Sequence, residues 1–144
     1  MHRTEIDNER GLILRYWRQR LTASEAVDSI RQTAYAADPQ RIYKEIVFFD
    51  ASFAEVDPPT IRVILDQIDE IGVDRRLVRS HICFVSNEPH NAPLLKFWLE
   101  LRDYGAVGTA AAAFLDLDEA ARWLDIDPHW LGARLGAMAP RGAR

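Results

Sequence analysis

A run of four apolar residues, Ile46-Val47-Phe48-Phe49, limits the fold of this chain more than any other feature. These residue types favour strands, and polar residues bound the run without alternating into it. A strand of this composition is buried on both faces, so we predict a central strand with Asp50 directly after it. The segment His81-Ile82-Cys83-Phe84-Val85 predicts a second buried strand of the same kind.

Helical patterns separate the predicted strands. The capping box Thr22-Ala23-Ser24-Glu25 predicts the start of a helix that ends near residue 37. Apolar residues at helical spacing before Gly72 predict a helix between the two buried strands: Ile61, Ile64, Leu65, Ile68 and Ile71. A third helix is predicted over residues 93–104, and Asp116 caps a fourth that has three inward-facing residues: Ala120, Trp123 and Leu124.

The remaining segments complete an α/β pattern. Residues 3–7 and 12–18 predict a hairpin whose turn contains Gly11, and residues 110–115 predict a last strand. Strands that alternate with helices favour parallel pairing through helical crossovers. We therefore predict an α/β fold in which an N-terminal hairpin precedes alternating helix–strand units, with a mixed, mostly parallel central sheet covered by helices.

The charge balance weakens one class of function. Eighteen basic and twenty-two acidic residues give a formal net charge of -4, which argues against broad binding to nucleic acid. Arg15, Arg18 and Arg20 surround Tyr16 and Trp17, a set that suits phosphate contact and base stacking. We favour the alternative that these arginines are solvated charges on a half-exposed strand.

Cysteine, histidine and glycine spacing give further expectations. Cys83 is the single cysteine and cannot form an internal disulfide, and neither a charged-then-apolar leader nor a membrane-length apolar run occurs. These features predict a soluble, cytoplasmic protein without a membrane span. His81, His90 and His129 lack metal-ligand spacing, and no glycine-rich phosphate loop occurs, so neither a metal nor a cofactor is predicted.

Polar residues follow both buried strands and form a predicted ligand or partner edge. The carboxyl ends of parallel strands lie together, which predicts that one edge of the sheet holds Asp50, Ser52, Ser86, Asn87, His90 and Asn91. Ser86, His90 and Asp50 supply the residue types of a hydrolase nucleophile, base and orienting acid. No glycine-flanked nucleophile elbow surrounds Ser86, so a hydrolase is the remote alternative and no catalytic residue is assigned.

The predicted helix over residues 93–104 has more large apolar residues than one buried stripe needs. We predict an interaction surface there, with Phe97 or Trp98 as its anchor and Leu94 and Leu101 beside it. The alternative is that the C-terminal segment folds back over this helix, so that Trp130, Leu131 and Leu135 cover its remaining apolar side chains.

The order of elements, a hairpin and then repeated helix–strand units, resembles the SpoIIAA-like branch of STAS-like domains. The last part of the resemblance is the closing segment Phe114-Leu115-Asp116-Leu117-Asp118-Glu119-Ala120-Ala121-Arg122-Trp123-Leu124. The resemblance covers about residues 3–126. It implies a STAS-like domain over residues 1–126, which leaves residues 127–144 as a C-terminal extension with a short helix and a frayed end. It also implies a role in binding more often than in catalysis.

The resemblance carries two further implications. In phosphoswitch members of the family a serine at a helix start is phosphorylated, whereas this chain has Asp50-Ala51-Ser52 and then Asp57-Pro58-Pro59-Thr60, with proline in the acceptor position. A serine phosphoswitch at that position is therefore not expected. The distantly related Sec14-type proteins hold lipids, but this chain is too short for their full cavity, so a small pocket or groove is the most we expect.

These observations give three functional hypotheses. The first is a non-enzymatic binding or regulatory module that acts through protein contacts, as a homodimer or with another protein. The second is a carrier or sensor of a small apolar or amphipathic, lipid-like ligand, and the third is the hydrolase.

Overall fold

Five strands form one mixed sheet in the order β1-β2-β3-β4-β5 in the computed structural model, which describes residues 2–18, 22–50, 59, 62–64, 66, 67, 70, 79–101 and 110–139. The strands are β1 (His2–Asp7), β2 (Leu12–Arg18), β3 (Ile42–Asp50), β4 (Arg79–Ser86) and β5 (Ala111–Phe114). β1 and β2 form an antiparallel hairpin, while β2, β3, β4 and β5 are parallel neighbours. The predicted α/β architecture with its opening hairpin and mostly parallel sheet is confirmed.

The turn of the hairpin and the start of the first helix lie where the sequence predicts them. Gly11 in the hairpin has a φ of +66°, and a Cβ atom there would lie 2.7 Å from the guanidinium of Arg41. Helix α1 (Ala23–Ala36) begins at the N-cap Thr22, whose hydroxyl accepts a hydrogen bond from the Glu25 amide at 3.2 Å. Sequence patterns identified both positions correctly.

Three further helices follow β4 and β5. A 3₁₀ turn (Pro89–Asn91) leads into α2 (Ala92–Leu101), and β5 is followed by α3 (Leu117–Trp123) and α4 (Pro128–Met138). Described positions 59, 62–64, 66, 67 and 70 are also helical, in the segment between β3 and β4 where a helix was predicted.

The connections between parallel strands cover one face of the sheet, here called the crossover face. Strand residues on that face pack with Ala26 of α1, Ile64 of the segment between β3 and β4, and Leu95 of α2. Each connection steps to the next strand in the same direction, and right-handed crossovers of this kind all lie on one face. The described strand order never reverses, so the described sheet lacks the crevice at which open α/β sheets usually bind ligands.

The last two helices cover the other face of the sheet, here called the C-terminal face. Residues of β2, β3 and β4 pack there with three buried residues of α4: Leu131, Leu135 and Met138. Ala120, Ala121 and Leu124 are buried beside them. The segment predicted as a C-terminal extension therefore contributes a helix to the core through residue 138, while residues 140–144 lie outside the described part of the chain.

Trp123 differs from its predicted inward orientation. Its side chain is 40% exposed and lies at the margin of α3, with its ring 6.2 Å from the ring of Phe114. The buried side of this helix is centred between Ala121 and Leu124, and helical geometry places Trp123 about a third of a turn away from that centre. The expectation that Trp123 packs inward is therefore wrong.

Candidate functional site

Asp50 is the last residue of β3, the middle strand of the sheet, as predicted. The Tyr16 hydroxyl donates a hydrogen bond to Asp50 Oδ2, and Asn87 Nδ2 donates to Oδ1 at 3.3 Å. Tyr16 is buried and stacks on Phe48, with 5.9 Å between ring centres. The carboxylate is thus fixed from β2 and from the residue after β4. Ser52, predicted beside it, lies outside the described residues.

The environment of Tyr16 gives this site a pH dependence. Burial, followed by the hydrogen bond to Asp50, raises the pKa of Tyr16 from 10.0 to about 12. The folded state therefore holds the phenol proton more tightly than the unfolded chain does. The stability gained from this group is fully present below pH 10 and is lost as the pH rises from 10 to about 12.

We expect the free energy of unfolding of the wild-type protein to fall more steeply over this range than that of a Tyr16→Phe variant, which has no phenol to ionise. Urea unfolding at several pH values between about 9 and about 12 measures the two slopes. Parallel slopes would show that Tyr16 titrates at the same pH in the folded and unfolded states.

Ser86 stabilises the connection between β4 and α2. It is fully buried at the end of β4, and its Oγ accepts hydrogen bonds from Asn91 Nδ2 at 2.9 Å and from the Glu88 amide at 3.2 Å. Asn91 is also buried. These bonds hold the short connection between β4 and α2, and they leave the serine oxygen inaccessible to a substrate.

The three residues of the hydrolase hypothesis do not form a relay. Asp50 is in phase with Phe48 on the C-terminal face, whereas Ser86 is in phase with Phe84 on the crossover face. His90 is exposed in the 3₁₀ turn, and its Nδ1 lies 3.6 Å from Glu88 Oε2. The sheet itself separates the proposed acid from the proposed nucleophile.

Only part of the predicted interaction helix is described at side-chain level. Leu95 is buried on the crossover face and Leu99 packs beside it, whereas Lys96 is exposed. The side chains of Leu94, Phe97, Trp98 and Leu101 lie outside the description, so the predicted surface stays a prediction. The alternative cover is wrong, because Trp130, Leu131 and Leu135 pack on the C-terminal face instead.

A buried polar network was missed from the sequence. Arg15 is only 7% exposed, and its Nε donates to Glu45 Oε2 at 3.1 Å. Its Nη1 donates to the Ser29 carbonyl and hydroxyl oxygens at 2.9 and 2.6 Å, while Ser80 Oγ donates to Glu45 Oε1 at 3.2 Å. The interpretation of Arg15 as a solvated charge is therefore wrong, and Arg20 lies outside the described residues.

The described residues form neither a membrane-spanning helix nor a cluster of potential metal ligands. No helix there is long and apolar enough to cross a bilayer. No group of three or more His, Cys, Asp or Glu side chains in the described part lies together in a way that could hold a metal ion. The Cys83 thiol is buried, and burial raises its pKa from 9.0 to about 12.

Comparison with known proteins does not assign the chain to a family. No protein-family model matches the chain, and a search of curated proteins found no match.

Proposed function

We propose that this chain is a non-enzymatic, STAS-like binding module that works through protein contacts at the edge formed by Asp50 and Asn87. The observation that carries the proposal is the fixed carboxylate: Asp50 stays partly exposed while Tyr16 and Asn87 hold its two oxygens. A charged acceptor that is already positioned loses little conformational entropy when a donor from a partner arrives. Such a group gives orientation and specificity to a protein contact.

The neighbouring side chains suit recognition better than catalysis. Glu88 and His90 follow Asn87 in the connection to α2, and their exposed side chains lie 3.6 Å apart, from His90 Nδ1 to Glu88 Oε2. Ser86, the nucleophile of the hydrolase hypothesis, is enclosed and hydrogen bonded. The order of hairpin, helices and strands is the one that the STAS-like resemblance implies, which supports a binding role.

The same proposal places the module in the cytoplasm. Cys83 is a free, buried thiol rather than half of a disulfide, as suits a reducing compartment. The partner is a protein, either a second copy of this chain or a different chain.

The test compares Asp50→Asn with Glu9→Gln. Each variant removes one carboxylate charge, but Glu9 lies in the hairpin turn at the opposite end of the sheet. We expect Asp50→Asn to weaken homodimer formation or partner capture by about tenfold, the loss typical of a charged hydrogen-bonding group at an interface. Glu9→Gln should behave like the wild type. Native mass spectrometry measures the fraction of the protein that is dimeric. Quantitative affinity capture measures the amount of a different partner that each variant retains.

Two results would overturn this proposal. One is that Asp50→Asn and Glu9→Gln retain the same partner or dimer to the same extent. The other is hydrolytic turnover of simple esters by the wild-type protein that disappears in Ser86→Ala while the variant remains folded.

A further inference from the structure

A cleft between the hairpin and α4 lies apart from the Asp50 edge. Its volume is about 620 Å³, within the range of 300 to 1,000 Å³ that is usual for small-molecule sites. Leu12 and Leu14 of β2, which are 4% and 3% exposed, lie at its base, and the ring of Trp130 from α4 lines its side. An apolar group of a ligand would be removed from water there.

The rim of the cleft has two carboxylates and two guanidinium groups. Arg134 Nη2 on α4 lies 2.5 Å from Glu5 Oε2 on β1. Arg10 Nη1 lies 3.0 Å from Asp7 Oδ2, and its guanidinium carbon lies 5.1 Å from the centre of the Trp130 ring. The formal charges of the rim therefore cancel. A ligand with a single charge would be attracted to one member of an ion pair and repelled by the other. A ligand with one positive and one negative group complements both members.

The ion pairs of the rim are exchangeable. Arg134 and Glu5 are 45% and 38% exposed, and Arg10 and Asp7 are 62% and 32% exposed. Ion pairs in this environment contribute little to stability, so solvent or a ligand can replace either partner at low cost. The planar guanidinium of Arg134 suits a carboxylate or phosphate, and the Glu5 carboxylate suits an ammonium group.

We propose that this cleft binds a small zwitterion with an apolar arm: an ammonium group at Glu5, an anionic group at Arg134, and the arm over Leu12, Leu14 and Trp130. Two classes of molecule share this chemistry. One is a free α-amino acid with a large apolar side chain, and the other is a zwitterionic phospholipid headgroup with a short acyl chain.

Calorimetric titration of the full chain tests the site with L-leucine, L-tryptophan and a short-chain phosphatidylethanolamine below its micelle concentration. We expect at least one zwitterion to bind, and the class that binds identifies the source. If an amino acid binds, its analogues that lack the carboxylate or the ammonium group should bind about tenfold more weakly, because each loses one charge-assisted hydrogen bond. If the phospholipid binds, the matching phosphatidic acid should show the same loss.

Variants place the ligand in the cleft. Arg134→Gln and Glu5→Gln should each lower the affinity by about tenfold. The matched control is Arg31→Gln, which removes another exposed arginine paired with a carboxylate, on α1. Thermal melts of all three variants establish that they are folded. The proposal is overturned if no zwitterion binds up to about 10 mM, if the singly charged analogues bind equally well, or if Arg134→Gln and Glu5→Gln bind like Arg31→Gln.

Discussion

Replacement of Arg15 by methionine is expected to lower the free energy of unfolding by about 3 to 5 kcal/mol. Arg15 and Glu45 are each 7% exposed, so the variant would leave the Glu45 carboxylate buried with Ser80 as its remaining hydrogen-bond partner in this network. An uncompensated charge inside a protein costs far more than the loss of a surface ion pair. The Ser29 oxygens of α1 would also lose the Arg15 donor.

Urea unfolding followed by circular dichroism measures this effect. Arg31→Met is the matched control, because Arg31 is 49% exposed and lies 3.9 Å from Asp28 on the same helix. We expect that variant to remain within about 0.5 kcal/mol of the wild type. The double variant Arg15→Met/Glu45→Met should recover much of the loss, since no unpaired charge remains. An Arg15→Met protein as stable as Arg31→Met would show that water reaches Glu45.

Local patterns predicted the elements of the fold because local physics decides them. The Ile46-Val47-Phe48-Phe49 run is apolar on both sides of a strand, which only an interior position satisfies. The Thr22 hydroxyl satisfies an amide three residues away, and Gly11 supplies a positive φ in its own turn. None of these arguments requires knowledge of a distant residue.

The arrangement of the predicted edge could not be obtained in this way. Both faces of β3 and β4 are buried, so apolar residues occur at odd and even positions alike. The sequence therefore does not indicate which of the two sets lies on which face of the sheet. Pairing sets Phe49 beside Ser86, and this register places Asp50 and Ser86 on opposite faces. The sequence predicted that Asp50 and Ser86 come at the ends of neighbouring strands, whereas the register decides whether their side chains meet.

The buried network was hidden for a related reason. Arg15 lies between apolar residues of β2 and Glu45 directly precedes the apolar run of β3, which is a signal of burial for both. Thirty residues separate them, and neither sequence position identifies the other as its partner. A charged residue inside a strand with two buried faces is therefore better interpreted as half of a buried pair.

Leu131→Ala is expected to lower the free energy of unfolding by about 2 to 5 kcal/mol, the range for removal of a fully buried leucine side chain. Leu131 is 0% exposed and packs in the cluster that includes Leu12, Leu14 and Tyr16. The variant leaves a cavity between α4 and the sheet that neighbouring side chains fill incompletely. Leu115→Ala is the control, because Leu115 is 44% exposed and its loss should change stability by less than about 0.5 kcal/mol.

The same variant connects stability to the proposed ligand cleft. Trp130 and Arg134 flank Leu131 on α4 and form one wall of the cleft, so the cleft exists only while α4 is docked on the sheet. At a temperature where Leu131→Ala remains folded, weaker zwitterion binding than in Leu115→Ala would indicate that α4 separates locally from the sheet. If Leu131→Ala is as stable as Leu115→Ala, Leu131 contributes no packing energy to the core, and its assignment as a core residue is wrong.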